Sequence, residues 1–290
     1  MSKLRAIWQI MRIEHGFMLI IAVLIGAAIS NREFIRYGYN LLFASLSSFL
    51  IGVSAFTLND YMDLKVDKKN KRMDRPLVRG DLKPRTALLL FFILFPTGIL
   101  LSLLVNTRCF FIAVLTGILA VLYDIKLKKI KVAGNFYIAY TTAIPFIFGS
   151  VAVSERVPYA VIILSVIAFI ASLGREVMKD VMDMKGDMAE GVRSIPMYLG
   201  KKRSFVGIAI TYLLSVFLSF VPFLSLRDTN FYHNFFYLIP VLFTDFIFVY
   251  MAVCLVFIEN PPLENYRKLS LFAMMAGLIA FLLGSLICGK

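Results

Sequence analysis

The chain has 290 residues, of which 60% are hydrophobic, with a mean hydropathy of +0.81 and a net charge of +13. Apolar residues at that density, in long continuous runs, exclude a soluble domain, and the lack of alternation excludes a transmembrane β-barrel. What remains is an all-α polytopic membrane protein, read as a single domain over 1–290 because no long polar linker or low-complexity tract interrupts it.

Nine transmembrane helices are predicted, at roughly 10–30, 40–60, 85–105, 109–123, 133–153, 157–178, 204–224, 235–258 and 268–287. Each is long enough, or nearly so, to cross about 30 Å of hydrocarbon at ~1.5 Å per residue. Lys3, Arg5, the apolar run after them and Ala27-Ala28 resemble a signal peptide, but the many spans that follow favour an uncleaved first helix. With the N-terminus in the cytoplasm, 25 of the 31 Lys and Arg residues fall on the inner side. That asymmetry sets the orientation and accounts for most of the basic charge, so nucleic acid is not an expected partner. Cys109, Cys254 and Cys288 have no short spacing, and His15 and His233 are far apart. Neither a disulfide framework nor a His-ligated metal is expected.

The two largest inner loops, about 60–85 and 174–203, also carry nearly all the clustered acids. Topology requires basic residues there but no organised carboxylates. In the first loop, Asn59, Asp63 and Asp67 stand at i, i+4 and i+8, so a helix continuing through them gives all three one face. Oxygen side chains beside Lys68, Lys69, Lys71, Arg72, Arg75 and Arg79 suit a hard divalent cation and a phosphorylated ligand. After the sixth span, Glu176, Asp180, Asp183 and Asp187 stand at i, i+4, i+7 and i+11, a helical stripe written in like charges that repel unless cations neutralise them. Gly186 is expected to end this helix. The plain alternative for each cluster is a solvated loop whose acids pair with neighbouring lysines.

These residues resemble the UbiA family of intramembrane prenyltransferases. Asn59, Asp60, Asp63 and Asp67 match its Asn-Asp-x-x-Asp-x-x-x-Asp motif, and Arg75-Pro76-Leu77-Val78-Arg79-Gly80 matches the Arg-Pro-Leu-x-x-Gly signature after it. Asp180, Asp183 and Asp187 match the second aspartate-rich motif, followed by Arg193-Ser194-Ile195-Pro196 and Leu199-Gly200. The run 175–187 is most similar to the branch making archaeal ether lipids. One departure concerns the Tyr-x-x-x-Lys of many aromatic-prenylating members: after Tyr123 the lysines are Lys126 and Lys128, with Leu127 between them.

The resemblance implies a UbiA-like helical bundle at the cell membrane, with its acidic loops and active site facing the cytoplasm. It implies Mg²⁺-dependent transfer of a geranylgeranyl group from geranylgeranyl diphosphate to the free hydroxyl of geranylgeranylglyceryl phosphate. Mg²⁺ is then expected on Asn59, Asp63 and Asp67 and on Asp180, Asp183 and Asp187, with Asp63, Asp67, Asp183 and Asp187 as the catalytic set. Arg72, Arg79, Lys126 and Lys128 are candidates for the diphosphate. Arg12, Glu14 and His15, at the inner end of the first span, are candidates for the acceptor, with an Arg12–Glu14 interfacial pair as the bland alternative. Phe91, Phe92, Phe95, Phe243, Phe246 and Phe248 are candidates to line a lipid-open tunnel for the tails, with packing or lipid contact as the commoner role of aromatic residues in membrane helices. Asn135, Tyr140, Thr141 and Thr142 are expected either to face that cavity or to bond between helices. The expected partners are the prenyl diphosphate, the lipid acceptor and membrane lipid, with no obligate protein partner. Two rivals are weighed. One is the same fold acting on an aromatic or porphyrin acceptor such as 4-hydroxybenzoate, a quinone precursor, haem or chlorophyll. The other is an ion-coupled transporter, which predicts acids near the middle of spans, whereas the acids cluster at helix ends.

Overall fold

A computed structural model describes residues 3–189, 194–227 and 230–287, and the side chains of all of these except 185–187 and 189. Nine helices among the described residues are long and apolar enough to cross a membrane, and they lie where the hydropathy places them. In chain order the long helices are α2 (Ile13–Ser30), α3 (Gly38–Met62), α6 (Pro84–Val105), α7 (Thr107–Ile125), α8 (Lys131–Val153), α9 (Tyr159–Ala189), α11 (Lys201–Leu224), α12 (Phe235–Phe257) and α13 (Leu263–Leu286). A short helix, α1 (Lys3–Met11), precedes them, and three more sit between them: α4 (Leu64–Lys69), α5 (Pro76–Arg79) and α10 (Ile195–Leu199).

The helix limits follow local chemistry. Pro84 opens α6 at a position where its missing N–H costs nothing. Asn106 and Asn234 cap α7 and α12, their side-chain oxygens accepting from the N–H groups of Cys109 and Phe236. Gly80 closes α5 at φ 81, a left-handed turn that glycine adopts freely.

Sequential helices pack as neighbours. α3 lies on α6, α9 on α11, and α12 on α13, while α2 packs on α8 and α13 returns against α2 and α9 to close the bundle. The α2–α8 crossing is very close: a Cβ on Gly26 would meet the Phe146 carbonyl, and one on Gly149 would meet that of Val23. Small residues at a membrane helix crossing allow such backbone approach.

Two expectations are corrected here. The first span is not one helix from residue 10. α1 and α2 are separated by Arg12, a non-glycine residue at φ 47 and ψ 55. Gly186 does not stop α9, which continues to Ala189, because a glycine ends a helix only where the chain also leaves helical geometry. Of the aromatic candidates to line a tunnel, Phe92, Phe243 and Phe246 are exposed, as lipid-facing residues of a membrane helix are. Phe91 is buried and stacks on Phe95, and Phe248 is buried at a cavity deep in the bundle.

Candidate active site at the inner helix ends

The first acidic motif sits where α3 gives way to α4. Asp63 interrupts the helix without redirecting it: its φ and ψ are −85° and −4°. Its N–H bonds to the Asn59 carbonyl at 2.9 Å, and its own carbonyl accepts from the Asp67 N–H at 2.8 Å. The i, i+4, i+8 relation therefore survives the break.

The three side chains meet different partners. Asn59 Nδ2 donates to Asp124 Oδ1 at 2.7 Å, across 65 residues of sequence. Lys128 Nζ donates to Asp63 Oδ1 at 2.5 Å and lies 3.5 Å from Asp124 Oδ1. Asp67 is buried, its Oδ2 being 3.9 Å from Arg75 Nε, and burial pushes its carboxyl above the ordinary range.

Asp60, which the motif contains but to which no role was given, is the hub of a second network. It is 2% exposed. Its Oδ1 accepts from Arg12 Nη2 at 2.9 Å and from Arg75 Nη1 at 2.7 Å. Arg12 also stands 4.7 Å over the Phe56 ring. Burial, then the nearby Arg75 charge, lowers the Arg12 guanidinium from its usual value. The left-handed backbone at Arg12 is thus held by the ion pair it presents.

The second motif lies on the inner end of α9. Asp180 Oδ2 accepts from Asn135 Nδ2 at 2.7 Å, and its Oδ1 is 3.5 Å from Lys131 Nζ. Glu176 accepts from Arg175 Nη1 at 3.2 Å and stands 4.0 Å from Lys179 Nζ. Asp183 is exposed. The side chain of Asp187, and Arg193 altogether, lie outside the described residues.

One segment touches both motifs. The end of α7, a 3-10 turn at Leu127–Lys129 and the start of α8 present Asp124 and Lys128 to the first motif, and Lys131 and Asn135 to the second. Tyr123 stacks on Tyr137 behind this turn, with ring centroids 4.6 Å apart. Among the described residues no three His, Cys, Asp or Glu side chains converge on one point. Asp63 and Asp180 are instead paired with the ammonium and amide groups of this segment. All-oxygen donors, partly open to water at Asp63 and Asp183, match the ligand chemistry of Mg²⁺.

The other predicted residues divide. Lys128 is at the motif, while Lys126 is exposed. Arg72 is held bidentately by Asp74 at 2.9 and 2.8 Å, and that hydrogen-bonded pairing lowers the Asp74 carboxyl to about 2. Arg79 is engaged on three sides, donating to Gln9 Oε1 at 2.7 Å, the Met73 carbonyl at 2.8 Å and Asp81 Oδ2 at 2.7 Å. It ties the loop to α1 through Gln9. Arg12 pairs with Asp60 and not with Glu14, which instead accepts from Trp8 Nε1 at 2.6 Å. His15 meets the Phe56 ring edge-on at 5.4 Å. Tyr140 bonds Thr116 at 2.8 Å. Thr141 lines a cleft between α2, α3, α7 and α8 with about 570 Å³ of non-atom space.

Sequence reading gave no role to Asp60, Asp124, Lys131 or Arg75. Their signal is charge placed at the inner ends of apolar runs, but their partners are distant in sequence.

The family model described as the UbiA prenyltransferase family matches residues 19–273. A digeranylgeranylglyceryl phosphate synthase from Archaeoglobus fulgidus is 39% identical over 283 residues, covering 97% of this chain and 96% of that protein. A solved structure of digeranylgeranylglyceryl phosphate synthase superposes with a TM-score of 0.82 at 32% identity, covering 99% of both chains. A UbiA homologue from Archaeoglobus fulgidus bound to DMAPP and Mg²⁺ shares the fold, with a TM-score of 0.65 at 17% identity over 95% of this chain and 98% of that one.

Proposed function

The chain belongs to the UbiA prenyltransferase family, and from that premise we propose that it transfers a geranylgeranyl group from geranylgeranyl diphosphate to the free hydroxyl of geranylgeranylglyceryl phosphate. The proposed product carries the second ether bond of an archaeal membrane lipid. The acceptor follows the name of the full-length relatives. The observation that carries the chemistry is the segment 124–135, which sets Lys128 on one acidic motif and Lys131 with Asn135 on the other.

The chain is a multi-pass membrane protein, and we place the site on its cytoplasmic side. The positive-inside asymmetry of the sequence supports that orientation.

Asn59, Asp63 and Asp67 on one side, and Asp180, Asp183 and Asp187 on the other, are the residues that would hold Mg²⁺. The metal, when bound, neutralises charge on the departing diphosphate. Asn59 is aimed by Asp124, and Asp63 by Lys128. When an anionic diphosphate enters, Lys128 is the ammonium best placed to turn from carboxylate to phosphate, and Arg72 is the exposed guanidinium that can do the same. The allylic C–O bond breaks with its electron pair leaving on the diphosphate. The acceptor hydroxyl oxygen forms the new C–O bond, and its proton passes to the released diphosphate. The Arg12–Asp60–Arg75 network holds two further cations at this face, of which Arg12 is suited to the acceptor phosphate. The apolar cleft bounded by Thr141, Tyr137 and Ile51 keeps water from the carbocation.

The test is a transfer assay on purified protein with labelled geranylgeranyl diphosphate, with Mg²⁺ or EDTA. Geranylgeranylglyceryl phosphate is offered beside 4-hydroxybenzoate. Metal-dependent label in the doubly prenylated glycerol phosphate is expected. Label in the aromatic acid overturns the acceptor, and no transfer to either overturns the reaction.

A further inference from the structure

The acids of this chain do not all lie at helix ends. Asp245 sits near the middle of α12, inside a membrane span, and is 5% exposed. One of its oxygens accepts from Ser219 Oγ on α11 at 2.8 Å, and among the described residues no other hydrogen bond reaches the carboxyl. Its neighbour Thr244 is 4% exposed, and the Thr244 hydroxyl has no hydrogen-bond partner. Both residues line a cavity between α8, α9, α11, α12 and α13. The remaining wall is mostly apolar, with Phe146, Phe248 and Phe281 among its larger side chains.

A carboxyl group buried in a span is costly and is by default a functional group. A buried hydroxyl without a partner adds to that cost. Two such groups beside one cavity point to a ligand that satisfies both. Its chemistry is constrained by the wall. No Lys, Arg or His lines the cavity, so a phosphate or diphosphate beside Asp245 would meet no compensating charge. The apolar walls disfavour a hydrated ion. The cavity is also offset from Asp180: along α9, Ala171 at the cavity wall and Asp180 at the motif are separated by about 13 Å of helix rise.

We propose that this cavity binds a long-chain alcohol, with its hydroxyl between Asp245 and Thr244 and its chain along Phe146, Phe248 and Phe281. A hydroxyl both donates and accepts, so it can bond the free carboxyl oxygen and the Thr244 hydroxyl at once. This site is separate from the one that receives the diphosphate.

The experiment uses full-length protein in detergent, a diazirine-bearing farnesol as the probe, and mass spectrometry to map the crosslinks. Saturable labelling of α12 and the facing part of α9 is expected. Excess farnesol suppresses it, and the corresponding hydrocarbon, farnesene, does not. Labelling falls about tenfold in Thr244→Val and in Asp245→Leu, the size expected for a lost hydrogen bond, and is retained in Asp245→Asn. Thr244→Val keeps the test decisive should Asp245→Leu fail to fold. Absence of saturable labelling overturns the proposal, as does equal competition by farnesene. Labelling that ignores both substitutions, or that maps only to the cleft at Tyr137 and Thr141, also overturns it. So does displacement of the probe by sodium chloride, which would make this a cation site.

Discussion

Lys128 Nζ stands 2.5 Å from Asp63 Oδ1, joining the end of α7 to the end of α3. Lys126, two residues earlier, is exposed and makes no such contact. The two lysines should therefore separate in an assay. Lys128→Ala is expected to lower kcat/KM about 100-fold, the scale of one lost charge-stabilising group, and Lys126→Ala to leave it near wild type. Steady-state transfer kinetics on the two variants check this.

Asp63→Ala and Asp183→Ala are each expected to abolish measurable turnover, a loss of at least ~10²–10³-fold, with little change in melting temperature. Both side chains are partly open to water, so their removal leaves no buried orphan. Wild-type enzyme treated with EDTA should match them, and added Mg²⁺ should restore only the wild type. Folded variants with full activity would sink the metal assignment.

Asp60 behaves differently because it is buried between two arginines. Asp60→Ala leaves Arg12 and Arg75 without their shared carboxylate. The expected cost is about 3 kcal/mol of stability, toward the lower end for a broken buried pair because both arginines retain some exposure. A thermal-melt comparison with Asp63→Ala checks it: the Asp60 variant should melt well below the Asp63 one.

Arg72 and Arg79 also part company. Arg79→Ala removes the bond to Gln9 that ties the loop to α1 and two contacts within the loop, and is expected to raise protease sensitivity around residues 70–83. Arg72→Ala removes an exposed pair, so its effect on stability is expected to stay below about 1 kcal/mol, while the KM for the prenyl diphosphate rises. The Asp74 carboxyl, lowered to about 2 by its hydrogen bonds from Arg72, is favoured in its charged form on folding. Its small contribution is therefore present above about pH 4 and lost as the pH falls toward 2. Acid titration of wild type against Arg72→Ala measures that difference.

The spans were legible because twenty or so apolar residues in a row have one stable arrangement in lipid. Asn59, Asp63 and Asp67 were legible because helical spacing puts them together even across the break at Asp63. The break at Arg12 was hidden, since its left-handed backbone is maintained by Asp60, 48 residues away. Asp124 and Asn135 were hidden for the same reason: each is meaningful only beside Asn59 or Asp180. Asp245 is hidden because a lone acid in an apolar run forms no pattern with its neighbours. The aromatic residues divide between buried and lipid-facing positions because composition does not say which face of a span looks outward.

The glycine crossing of α2 and α8 bears on traffic. With the Gly26 and Gly149 backbones against the carbonyls of Phe146 and Val23, no acyl or prenyl chain can pass between the first and fifth spans. A substrate that arrives dissolved in the bilayer must enter through another seam. Widening this one with a bulkier residue would not open a second door but would push apart the two helices that bring Arg12 to Asp60 and Asn135 to Asp180.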